Sequence, residues 1–171
     1  MCLSFIKWKG ICIVRKSKGH HLGWRTEVVF QIGLHTKDLD LLKSIKDYFG
    51  GVEIISESKS KDMCAFRVSS PKQILEQILP HFYKYPLVTK KHIDYQLFKN
   101  IVEIMLNKKH LTESGLQEIV NLRASLNLGL SDELKAAFPN TIPVKRQILT
   151  KQQIPHPQWV AGFVTAEGCF L

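Results

Sequence analysis

From Trp24 to Leu34 the chain alternates between two kinds of position. Val28, Phe30, Ile32 and Leu34 share one parity, and Arg25, Glu27, Val29, Gln31 and Gly33 share the other. Successive strand residues point to opposite faces, so the first set predicts a core face and the second an exposed one. Ile11 to Arg15 predicts a partner strand, joined through the basic loop Lys16-Ser17-Lys18-Gly19-His20-His21-Leu22-Gly23. Lys37 to Phe49 carries Leu41, Leu42, Ile45, Tyr48 and Phe49 on one helical stripe and is stopped by Gly50-Gly51. Val52–Ser56 and Met63–Ser69 predict a second strand pair around a turn at 57–62. In its second strand Cys64, Phe66 and Val68 face in, while Met63, Ala65, Arg67 and Ser69 face out.

Helices follow. Ser70 is an N-cap, Pro71 suits the first helical position and Gln73 completes a capping box, for a helix ending near Leu79 before Pro80. A second helix spans Lys91 to Asn107. A third opens on Thr112 and turns Leu116, Ile119, Val120 and Leu126 inward. Ser131 caps a short helix that ends near Pro139. Residues 140–157 hold three prolines and little periodicity, and read as a linker crossing a surface. Trp159 to Ala166 predicts a further short helix. The whole is an α+β arrangement: a four-stranded antiparallel saddle sheet with helices packed on its apolar face, the other face polar and exposed.

Charge gives that exposed face a meaning. The 171 residues hold 24 Lys+Arg against 15 Asp+Glu, a net +9, which attracts polyanions. Residues 1–26 contain no acid but include Lys7, Lys9, Arg15, Lys16, Lys18 and Arg25. Hydrophobic residues make up 44%, and no apolar run approaches the roughly 20 residues of a membrane helix, so no membrane partner is expected. The four cysteines show no zinc spacing and read as reduced thiols. A two-stranded ribbon fits the DNA major groove, so the outward residues are candidate base readers: Arg15, Arg25, Glu27, Gln31 and Arg67. Ile11, Ile13, Val29 and Met63 are placed to meet thymine methyls. Lys16, Lys18, Lys59 and Lys61 are placed in loops to meet phosphates.

Trp159-Val160-Ala161-Gly162-Phe163-Val164-Thr165-Ala166-Glu167-Gly168 resembles the motif that names the LAGLIDADG homing endonucleases. The stretches Phe30-Gln31-Ile32, Lys84-Tyr85-Pro86-Leu87, Asp94-Tyr95-Gln96-Leu97-Phe98 and Lys109-His110-Leu111-Thr112 are similar to single-chain, two-domain members encoded in fungal mitochondrial introns. Leu130-Ser131-Asp132-Glu133-Leu134 ahead of Phe138-Pro139 agrees with them as well. The resemblance covers about Arg15 to Leu171.

It implies a site-specific double-stranded DNA endonuclease whose concave sheet face binds DNA. Ala161, Gly162, Ala166 and Gly168 would pack the motif helix against a second one; Gly162 and Ala166, four apart, share a face. Glu167 would be the catalytic acid, holding Mg²⁺ near the scissile phosphates, with Gln31 positioning water. The resemblance also implies a mitochondrial location.

The chain departs from that pattern at its start, where Lys7 or Lys9 stands in place of the first motif's acid. The expected organisation is therefore a DNA-binding half-domain at 1–139 lacking its first motif helix, a linker at 140–157, and a second motif helix at 158–171 opening a truncated half. On this reading the polypeptide alone is weakly active or inactive, and calls for a complementary half-domain or self-association. Two alternatives stay open: an intron RNA-binding maturase, which needs no metal acid, and a non-functional remnant.

Overall fold

In a computed structural model, residues 8–51, 54–58, 62–87, 90–126 and 129–146 are described. Four strands form one antiparallel sheet: β1 (Trp8–Lys16), β2 (Trp24–His35), β3 (Ile54–Ser58) and β4 (Met63–Val68). Their spatial order is β1-β2-β4-β3, so both hairpins are intact and join through β2 and β4. The helices are α1 (Leu39–Tyr48), α2 (Pro71–Gln73), α3 (Leu79–Lys84), α4 (Lys90–Leu106), α5 (Glu113–Ala124) and α6 (Asp132–Ala137).

The alternation read in β2 sets the layers. Val28, Phe30 and Ile32 are buried with Cys12, Val14, Cys64, Phe66 and Val68 of the neighbouring strands. Against them pack Leu42 and Ile45 of α1 with Phe49 at its C-cap, Leu97, Phe98, Ile101 and Val102 of α4, and Leu116 and Ile119 of α5. Thr112 and Ser131 cap as expected: Gly115 N–H donates to Thr112 Oγ1 at 3.1 Å and Leu134 N–H to Ser131 Oγ at 3.4 Å. Ser70 Oγ accepts from Gln73 N–H at 3.4 Å.

Several boundaries differ from the sequence reading. β1 begins at Trp8, three residues before Ile11, because Trp8, Gly10, Cys12 and Val14 continue the buried parity. β3 runs from Ile54 to Ser58, so Glu57 and Ser58 are strand residues rather than turn. On the predicted stripe only Leu42 and Ile45 of α1 and the C-cap residue Phe49 are buried; Leu41 and Tyr48 flank it at 47% and 46% exposure. Pro80 does not end its helix. A π-turn at Ile74–Ile78, with Leu79 N–H donating to the Ile74 carbonyl, shifts the ladder, so that Pro80 falls in the first turn of α3, where a missing donor is tolerated.

The segment after α6 crosses the helical layer as a fixed strap. Asn121 Oδ1 accepts from Ile142 N–H at 3.1 Å, Ser125 Oγ donates to the Val144 carbonyl at 2.7 Å, and Arg146 pairs with Asp94 of α4. The predicted linker therefore has a defined course as far as residue 146. Its remainder and the motif helix at 159–166 lie outside the described residues.

Candidate nucleic-acid interface

The outward face of the sheet is built by register. Lys9 of β1, Gln31 of β2, Arg67 of β4 and Ile54 of β3 form one rung across all four strands. Toward the β1–β2 loop the next rungs are Ile11 with Val29, Ile13 with Glu27, and Arg15 with Arg25. In the other direction lie Gly33, Ala65 and Ser56, then His35, Met63 and Ser58. Ile11, Ile13, Val29, Gln31, Ser56, Arg67 and Ser69 line a shallow groove of about 500 Å³ along this face.

At the loop end one carboxylate organises two cations. Glu27 Oε1 accepts from Arg15 Nη2 at 2.9 Å and forms an ion pair with Arg25, whose Nε lies 2.7 Å away. The arginine side chains remain about half exposed. Among the described residues Glu27 is the sole acid at an outward strand position, so the face as a whole stays cationic. The loop itself is two successive turns, His20 N–H donating to the Ser17 carbonyl at 3.2 Å and Gly23 N–H to the His20 carbonyl at 2.8 Å, closed by Ser17 N–H on the Gly23 carbonyl at 2.8 Å. Gly23 has φ +71, which a side chain would strain.

The structure brings together Arg15, Arg25, Glu27, Gln31 and Arg67 on one face, with Lys18 exposed in the loop beyond them. It separates Lys16 from them. Lys16 is the last residue of β1, not a loop residue, and shares the parity of the buried Val14. Its ammonium lies 3.4 Å from Glu133 of α6 and 5.8 Å from the Trp24 ring centre, on the helix side. Lys59, Lys61, Glu167, Ala161, Gly162, Ala166 and Gly168 lie outside the described residues.

Two contributors were missed. Lys9 faces outward opposite Gln31, and the alternation of 8–14 could have revealed it. Ser56 enters the groove because its pairing with Ala65 puts it on the outward parity of β3.

Buried titratable groups lie away from this face. Burial pushes the Cys12 thiol up to about 12, and burial raises Cys64 too, as befits the reduced, buried thiols expected of them. Burial pulls His81 down to about 4. His35 serves as a cap, its Nδ1 accepting from Lys37 N–H at 3.3 Å.

Among the described residues no group of three or more His, Cys, Asp or Glu could hold a metal ion. These residues alone do not fit a divalent-metal centre. No helix among them is long and apolar enough to cross a membrane.

Known proteins share this arrangement. A family model described as LAGLIDADG endonuclease matches residues 9–102. Probable intron-encoded endonuclease 3 of Neurospora crassa is 43% identical over 159 residues, covering 92% of this chain and 30% of that protein. Probable intron-encoded endonuclease 2 of the same organism is 39% identical over 171 residues, covering 94% and 38%. The I-SmaMI LAGLIDADG homing endonuclease bound to cleaved DNA superimposes with a TM-score of 0.90 at 41% identity, covering 96% of this chain and 54% of that one. I-SmaMI has also been solved on uncleaved target with calcium ions present. The chain thus spans about a third of the length of the curated relatives and about half of the solved one.

Proposed function

This chain belongs to the LAGLIDADG endonuclease family, and on that premise we propose that its sheet is one DNA-binding half of a site-specific double-stranded DNA endonuclease, a homing endonuclease. The observation that carries this reading is the outward face itself. Lys9, Arg15, Arg25 and Arg67 surround an open groove on the side of the sheet that the helices leave bare. Such a surface can enter the major groove, with cations on phosphates and guanines and Gln31 on a base edge or a water. Lys18, and with it Lys59 and Lys61, would meet phosphates.

The chemistry is assigned to the motif segment. Glu167 is the proposed ligand of a divalent ion, Mg²⁺, which when bound polarises a phosphate and generates a nucleophilic water. Ala161, Gly162, Ala166 and Gly168 would let that helix approach a second one closely. A complementary half-domain then completes the centre, in line with the organisation 1–139, 140–157 and 158–171. The relatives are encoded within introns by name, including an ND4 intron and a cox1 intron, which supports a mitochondrial location.

The test is binding and cleavage of duplex DNA by this chain, with Mg²⁺ and with Ca²⁺, at two salt concentrations. Salt-sensitive duplex binding is expected, with any cutting dependent on Mg²⁺ and abolished in Glu167→Gln. Preference for intron RNA without duplex binding would replace this reading with that of a maturase.

A further inference from the structure

The outward face changes character along the strands, and the change is ordered. At the β1–β2 loop end stand two guanidiniums on one carboxylate. Next come three aliphatic side chains, Ile13, Ile11 and Val29, on adjacent rungs. Then comes the rung that holds Gln31 and Arg67.

Resting on the DNA-binding reading above, we infer that this face reads a half-site of fixed order: guanine at the loop end, a short A·T run, then guanine and adenine. Each zone follows from what a base pair shows in the major groove. Arginine matches guanine O6 and N7, glutamine matches adenine N6 and N7, and the thymine methyl is the one apolar group on any edge. Ile11, Ile13 and Val29 neither donate nor accept. A G·C pair pressed against them would lose water from its polar edge without gaining a partner. Val29 and Ile11 are half-buried and Ile13 is 36% exposed, so they form the floor of the groove.

Glu27 acts in this scheme as a positioning residue. Its Oε1 already accepts from Arg15 at 2.9 Å and pairs with Arg25 at 2.7 Å, so both guanidiniums are held before DNA arrives. Arg25 uses Nε for that contact, which leaves its terminal Nη pair for a base. The other reading rung has its own support. A side chain built on Gly33 would meet Gln31 Nε2 at 3.9 Å, so the Gln31 amide leans over the small-residue rung of Gly33, Ala65 and Ser56.

Register fixes the spacing. Arg25 and Gln31 are six residues apart on β2, which at about 3.3 Å per residue and about 3.4 Å per base pair sets the two reading ends about six base pairs apart.

The experiment is selection of the full chain on a randomised duplex library, with sequencing of the bound fraction. The expected pool shows guanine at two positions about six base pairs apart with A·T pairs between, each guanine favoured by roughly tenfold. Arg67→Gln is expected to move the second preference from guanine to adenine and leave the first. Glu27→Gln is expected to flatten the first and leave the second. Thermal melting of both variants, which change outward-facing side chains, checks that they fold. Salt-sensitive binding with uniform base usage, a different order of zones, or a Glu27→Gln pool identical to the parent's would overturn the inference while leaving DNA binding in place. No duplex binding at all would remove both.

Discussion

The Phe98 ring of α4 rests on the Cα of Gly10 in β1. A Cβ on Gly10 would lie 2.5 Å from Phe98 Cγ. This contact seats α4 on the strand whose opposite face carries Lys9 and Ile11. Phe98 is 1% exposed and has no room to retreat. Gly10→Ala is therefore expected to destabilise the fold by about 1–3 kcal/mol, as overpacking does. Urea titration measures it. Adding Phe98→Leu should recover part of the loss; strict additivity of the two would contradict the contact.

Arg123 of α5 closes an exposed sheet edge. Its Nε donates to the Cys12 carbonyl at 2.9 Å, and its Nη1 to the carbonyls of Leu126 and Gly129 at 3.0 and 2.6 Å. Arg123→Met keeps the length and removes the donors. A loss of about 2–4 kcal/mol is expected, since three partly buried acceptors lose their partner. Faster hydrogen exchange in β1 and around residues 126–129 would localise it.

His81 gives the fold an acid sensitivity. It is 5% exposed and ringed by Tyr48, Phe49, Phe82 and Tyr85; its Nδ1 lies 3.0 Å from Tyr48 Oη, and its Nε2 has no hydrogen-bond partner among the described residues. Burial lowers its value from 6.5 to about 4. Between those values the unfolded chain takes a proton that the folded chain refuses. Stability from this group is therefore full above about 6.5 and lost as pH falls toward 4, by up to about 3 kcal/mol. Melting curves from pH 7 to 4 should show a steeper decline for the parent than for His81→Phe.

These features differ in how far the sequence disclosed them. Alternation in β2 and β4 fixed which side of the sheet is bare, because one parity is apolar in both strands; hence Arg25, Gln31 and Arg67 were placed correctly on the face. Lys16 was not, since charge alone does not say that it falls on the parity of Val14 and meets Glu133 from α6, far along the chain. The ion pairs of Glu27 with Arg15 across the hairpin and with Arg25 depend on the strand register, which parity alone does not give. Pro80 read as a stop because the π-turn that absorbs it has no local signature. The seat of Phe98 on Gly10 joins residues on separate elements, and a lone glycine gives no hint of its partner.

The central claim is that the bare sheet face, rather than overall charge, holds DNA. It is tested by comparing Arg67→Glu, on that face, with Lys99→Glu, on α4 in the helical layer. Both lower the net charge equally. Duplex affinity is measured by fluorescence anisotropy across a salt series. The account predicts that Arg67→Glu weakens binding by tenfold or more at every salt concentration, while Lys99→Glu changes affinity by less than about threefold. Equal losses from the two variants would show that the positive charge acts without a face, and would contradict the account.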